Sequence, residues 1–157
     1  MLSKNQAKWF FLGGTAVTFL IFIGLTIYSL SKAQDQSHAE NITAEVVHGK
    51  MLWEKNNCMG CHTLMGEGAY YAPELTNVIE RRSANGGDGE AFVKGILMSK
   101  SPWAPRGRKM VAYGMSEKDA SDVVAFLKWV SDINLNGFEN VDRTVSPLAK
   151  DRMKNNN

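Results

Sequence analysis

The chain has 157 residues, with 18 Lys and Arg against 16 Asp and Glu for a net charge of +2. That length fits one globular domain plus an appendage, and so even a charge balance, without a basic block interleaved with aromatics, excludes a nucleic-acid-binding surface. Only two cysteines are present, and one motif claims both, so no disulfide framework holds the domain together.

Residues 1–8 form a short tail with Lys4 and Lys8 and no acidic residue. From Trp9 to Ser31 no charged residue occurs, and Phe, Leu, Ile and Val dominate. A bilayer-crossing helix needs about 20 apolar residues, so 9–31 is predicted to be a transmembrane anchor. Trp9 and Tyr28 stand near its ends as interfacial aromatics do, and the lysines favour a cytoplasmic tail with everything after Lys32 outside. Ser31-Lys32-Ala33 also suits a signal peptidase, but a signal core spans only about 7–15 apolar residues, which favours a retained anchor. Gly13-Gly14 suits either close approach of another helix or simple tolerance of glycine in a span.

Residues 32–43 are polar and lack apolar periodicity, which predicts a tether, with His38 read as a solvated histidine. The globular domain is placed at 44–135. Its first helix is predicted over 44–57, with Val46, Val47, Gly49, Met51 and Trp53 as apolar and small positions. Gly49 and Trp53 lie one turn apart on a shared face, and glycine there marks close approach of another backbone. His48 reads as a surface or rim histidine.

This helix runs into Cys58-Met59-Gly60-Cys61-His62, the attachment signature of a c-type haem. Each thiol adds to one haem vinyl group, and the turn they share places His62 under the iron as its proximal ligand. A structural zinc site wants four ligands, and only His38 and His48 remain to supply them. A thioredoxin-type pair would sit beside a βαβ pattern, and none is visible. A disulfide would leave His62 unexplained. Haem c is therefore the cofactor that the motif specifies, and in bacteria this motif class is filled on the periplasmic side.

Residues 63–75 carry glycines and a proline and read as a loop. A ligating imidazole donates its other N–H to an acceptor that fixes its orientation, and the backbone near Pro73 is the candidate. Short helices are predicted over 77–83 and 90–99, the second with Phe92, Ile96 and Leu97 inward, separated by a glycine-rich turn at 84–89. Residues 101–107 should be irregular. Ser116 with Asp119 reads as a capping box that opens the last helix. In it Val123, Phe126, Leu127, Val130 and Ile133 make a buried stripe. A polar tail follows at 136–157.

A haem iron used for electron transfer needs a ligand opposite His62, and methionine suits it. Of the eight methionines, Met51, Met59 and Met65 lie too close to the attachment site, and Met98 reads as helix packing. Met110 follows a Pro/Gly-rich stretch able to cross the haem face and is preferred as axial ligand. Met115, beside the Ser116 cap, stays the alternative as ligand or as staple residue. Arg106, Arg108 and Lys109 could neutralise haem propionates, shape a docking surface or simply be solvated.

This order of features resembles an all-α class I cytochrome c domain, and by that resemblance Gly49 meets Phe126 where first and last helices cross. Trp53-Glu54 through Asn57, Cys58 to Leu64, Gly66-Glu67-Gly68-Ala69-Tyr70 and Ala72-Pro73-Glu74-Leu75 resemble, more closely, the small cytochrome c subunit of bacterial nitric oxide reductase. The resemblance implies Cys58, Cys61, His62, Met110, Pro73 and Leu75 as haem-binding residues. It implies a large inner-membrane catalytic subunit holding haem b, haem b3 and a non-haem iron that turns two NO into N2O and water. It also implies a soluble cytochrome c or blue-copper donor in the periplasm, and a calcium ion at the subunit junction near Gly68 and Tyr70. Val111 stands where the family often has proline after the ligand methionine. The alternatives are a cytochrome subunit of a haem–copper oxygen reductase, told apart by its copurifying partner, and a gas-binding haem module, told apart by a high-spin spectrum and ready CO binding.

Overall fold

Ser3 opens the first helix. Its hydroxyl accepts the Gln6 N–H at 3.3 Å while the Gln6 side chain accepts the Ser3 N–H at 2.9 Å, a reciprocal capping box. In the computed structural model, which describes residues 3–84, 86–104 and 107–134, helix α1 then runs Lys4–Gln36, 33 residues. At 1.5 Å rise per residue it is about 50 Å long, against a hydrocarbon layer of about 30 Å. It therefore overhangs the predicted 9–31 span at both ends and carries Lys4, Lys8, Lys32 and Asp35 on the overhanging turns. None of its residues is buried, and Trp9, Phe19, Leu20 and Leu30 are exposed on all sides. A helix apolar all round suits lipid. Thr18 and Thr26 donate their hydroxyls back to the Gly14 and Phe22 carbonyls at 3.0 and 2.8 Å, so neither needs water. Among the described residues this is the one helix long and apolar enough to cross a membrane.

The chain divides into two units, residues 1–39 and 40–157. The predicted linker 32–43 is helical to Gln36 and then forms a 3-10 turn at Ala39–Asn41. His38, read as solvated, is half-buried with φ 48°.

The second unit is built on the crossing of α2 (Ala44–Lys55) and α5 (Glu117–Asp132). Val46, Gly49 and Trp53 are the buried face of α2, whereas Val47 and Met51, expected among its packing positions, are 48% and 59% exposed. Helical geometry explains the correction, because 46, 49 and 53 follow the i, i+3, i+7 stripe and 47 and 51 fall beside it. A side chain at Gly49 would strike the Asp122 carbonyl of α5 and lie 2.9 Å from the Phe126 Cβ, so the two helices touch backbone to backbone here.

Helix α5 starts at Ser116, whose hydroxyl accepts the Asp119 N–H at 3.1 Å. It buries Ala120, Val123, Val124, Phe126, Leu127 and Val130, with Ile133 half-buried beyond its end. Between the two long elements lie α3 (Val78–Ser83) and α4 (Gly89–Met98), both packed on α5. Asp88 caps α4 by accepting the Ala91 N–H at 2.9 Å. The buried face of α4 is Gly89, Val93 and Leu97, rotated from the expected Phe92, Ile96 and Leu97. Phe92 is half-buried, edge-on to Trp103 at 5.9 Å with the Arg82 guanidinium 4.3 Å above its ring. Met98, expected to pack, is 38% exposed. The predicted tail 136–157 lies outside the described residues.

The loop after the haem motif contains a small antiparallel hairpin, β1 (Thr63–Leu64) with β2 (Glu67–Gly68), paired Thr63 to Gly68 and Leu64 to Glu67. Met65 and Gly66 turn it with φ of 50° and 88°, the pair of positive values that a two-residue hairpin turn demands.

Candidate cofactor site

The two thiols are set by one 3-10 turn, Cys58–Gly60. The Cys61 and His62 N–H groups both donate to the Cys58 carbonyl, at 3.1 and 2.9 Å, which folds the motif tightly over itself. Asn57 enters the turn at φ 50°. Cys58 is buried, Cys61 is exposed, and the two are not bridged to each other. Burial pushes the Cys58 thiol up to about 11, and the Tyr113 hydroxyl is hydrogen-bonded to it. The described residues contain no group of three or more His, Cys, Asp and Glu able to hold a metal ion.

His62 is 9% exposed, and its Nδ1 lies 2.7 Å from the Pro73 carbonyl. A carbonyl only accepts, so Nδ1 carries the proton and Nε2 is left with its lone pair. Burial lowers the His62 pKa, partly opposed by the Pro73 bond, so the ring is neutral and ligand-ready. The stretch that supplies the carbonyl is itself pinned: Ala69 N–H donates to the Met59 carbonyl at 2.9 Å, Ala72 to Cys61 at 2.8 Å and Leu75 to Thr63 at 2.9 Å. Leu75 also packs half-buried against the core. Below it, buried Thr76 accepts the Met65 N–H at 2.6 Å and bonds Glu74, which in turn pairs with Arg81 at 3.2 Å. Sequence reasoning missed this polar support, whose signal was the carboxylate of Glu74 in an otherwise apolar turn.

Trp53 stands beside His62 with ring centroids 6.4 Å apart, and its buried Nε1 finds no hydrogen-bond partner among the described residues. A buried indole donor without a partner costs free energy, and a prosthetic group seated against His62 would bring acceptors to this side of the core. Together with paired thiols on one turn and a bare Nε2, the residues fit a covalently held haem.

Met110 and Met115 are both half-buried against the core. Met110 sits in an isolated antiparallel bridge with Trp103, with N···O distances of 2.8 and 3.1 Å, while the Met115 N–H donates to the Leu97 carbonyl at 3.0 Å. Arg106 lies outside the described residues. Arg108 is exposed, and it donates to the Tyr71 carbonyl and lies 5.3 Å from the centre of that ring.

Gly68 has φ 119°, and a Cβ there would collide with the His62 carbonyl, so its glycine serves the close approach of β2 to the haem motif. The Tyr70 hydroxyl donates to the Gly66 carbonyl at 2.9 Å.

His48, expected on the surface or rim, is half-buried, with Nδ1 2.6 Å from the Asp122 Oδ2. The same oxygen takes Lys118 Nζ at 2.6 Å, and the Asp122 side chain is only 4% exposed. Asp122 sits within the apolar stripe of α5, which is why a periodicity argument passed over it.

A short turn with two thiols and an imidazole, enclosed by crossing terminal helices, defines a cytochrome c domain, and the cytochrome c family model matches residues 46–131. Such a domain carries its haem covalently and serves electron transfer. The chain is 40% identical over 136 residues to the C subunit of nitric oxide reductase from Stutzerimonas stutzeri, covering 85% of this chain and 91% of that one. The corresponding proteins of Halomonas halodenitrificans and Paracoccus denitrificans are each 39% identical over 140 residues, with the same coverage. The chain belongs to this family, the cytochrome c subunits of nitric oxide reductase.

Proposed function

We propose that this chain is the membrane-anchored electron-entry component of a nitric oxide reductase. It takes single electrons from a soluble periplasmic cytochrome c or blue-copper protein and passes them to a catalytic subunit holding haem b, haem b3 and a non-haem iron. Reduction of two NO to N2O and water consumes two electrons and two protons, and this chain supplies electrons only. It contributes no catalytic residue.

The observation that carries the reading is the His62–Pro73 bond at 2.7 Å, because it presents a neutral imidazole with Nε2 bare. The bound haem supplies one-electron chemistry. Cys58 and Cys61 would hold it through thioethers, His62 and Met110 would ligate its iron, and Pro73 and Leu75 belong to the segment that orients His62. Trp53, Phe126 and Leu127 belong to the buried core, and the Trp53 ring stands 6.4 Å from that of His62. Helix α1 spans the inner membrane, and Lys4 and Lys8 keep its start in the cytoplasm, which leaves the haem domain in the periplasm.

Purification in mild detergent tests the assembly, and absorption spectroscopy tests the ligands. The expected results are one covalent haem, a low-spin spectrum, and a copurifying partner with non-haem iron. Met110→Ala should abolish the methionine–iron absorption band and admit CO, whereas Met115→Ala should keep it. A band surviving Met110→Ala would sink the ligand assignment.

A further inference from the structure

The segment bearing Met110 runs between α4 and α5. Its neighbours Lys109 and Val111 lack the fixed φ of proline, and no helix or multi-residue strand covers the described residues between 99 and 115. Among the described residues, two tethers hold the part around Met110 itself. On one side the Trp103–Met110 bridge fastens it, through the edge-on contact of Trp103 with Phe92, to α4. On the other side Arg108, 37 residues along from Tyr71, donates to its backbone carbonyl and lies 5.3 Å from its ring centre.

Tyr71 is a telling place to be tied. Its next neighbour Ala72 donates to the Cys61 carbonyl at 2.8 Å, and Pro73 accepts from His62 at 2.7 Å. Arg108 therefore joins the segment two residues before Met110 to the segment that fixes the opposite axial ligand. We propose that Arg108 is a positioning residue, a clamp that holds the methionine segment closed over the haem by grasping Tyr71. This rests on Met110 being the axial ligand.

The guanidinium suits the task. It stays charged at any working pH, donates in a planar fork and stacks on an aromatic face, all of which a lysine ammonium does less well. A clamp of this kind governs how often the methionine leaves the iron rather than whether it binds at all.

The test uses the full-length haem-loaded protein in detergent and follows displacement of methionine from ferric iron by added imidazole, read by loss of the methionine–iron absorption band. Arg108→Ala should keep the band at neutral pH but speed displacement roughly five- to tenfold, the scale of losing one ordinary hydrogen bond at an exposed position. Arg108→Lys should fall between the two. Tyr71→Leu, which keeps the carbonyl but removes the ring, should give a smaller acceleration and serves if Arg108→Ala does not assemble. Unchanged displacement rates in Arg108→Ala, or in Tyr71→Leu as its substitute, would overturn the clamp. So would a shifted reduction potential with unchanged displacement, since that would mean Arg108 acts on haem charge. Met110→Ala separates the two levels: if it loses the band while Arg108→Ala exchanges normally, the ligand reading stands and the clamp falls. If it keeps the band, the ligand reading fails and takes the clamp with it.

Discussion

Gly49 is glycine because the Asp122 carbonyl of α5 occupies the place that a side chain would take, with the Phe126 Cβ 2.9 Å away. Backbone cannot step aside as a flexible side chain can, so Gly49→Ala must push α2 and α5 apart. Overpacking of this kind costs about 1–3 kcal/mol or more, measurable as a lowered midpoint in denaturant at unchanged haem content. On the facing helix, the buried carboxylate of Asp122 gives the domain an acid limit. Donation from Lys118 lowers its pKa first, burial opposes this, and donation from His48 lowers it further. A carboxylate held below its unfolded value of about 3.9 stabilises the fold above that pH, and the contribution is lost as pH falls through the folded value. Stability measured from pH 6 down to pH 3 should therefore fall less steeply in Asp122→Asn than in the parent, although the variant starts lower because His48 and Lys118 lose their anion.

At the scale of elements, the closing helix was the most legible part of the chain. Val123, Phe126, Leu127 and Val130 repeat at helical spacing over several turns, and Ser116 announces the start. Ser116→Ala should cost about 1 kcal/mol, the worth of an N-cap hydroxyl, read as a shift of the unfolding midpoint with little change in the haem spectrum. The face of α4 was harder to read, because Phe92 looks like core yet spends its ring on Trp103 and Arg82, leaving Val93 to face inward. The hairpin of β1 and β2 was illegible for a simple reason: two-residue strands carry no periodicity, and Met65 gives no hint of its φ of 50°. At the site, the acceptor near Pro73 could be named from what an orienting bond requires. Tyr113 beside Cys58 and Arg108 on Tyr71 could not, since each joins segments that only the fold brings together.

For the whole molecule, the decisive feature is that the two units solve different burial problems. Helix α1 buries none of its residues within the chain, so its apolar surface must be removed from water by something else. The second unit has its own core, from Val46 through Trp53 and Leu97 to Leu127 and Val130, closed by the α2–α5 crossing. No residue of that core comes from α1. Removing residues 1–36 should therefore move the protein from the detergent-requiring fraction to the aqueous one while leaving haem attachment, the low-spin spectrum and the denaturation midpoint nearly as they were. The check is phase partitioning with spectra recorded on both fractions, provided the shortened chain is still exported by a substitute signal so that haem can be attached. Should the shortened chain lose its low-spin spectrum instead, α1 would have a part in holding the haem domain together that a helix burying none of its residues gives no reason to expect. Loss of copurification with a catalytic partner, at an unchanged spectrum, would place α1 among the contacts that hold the assembly.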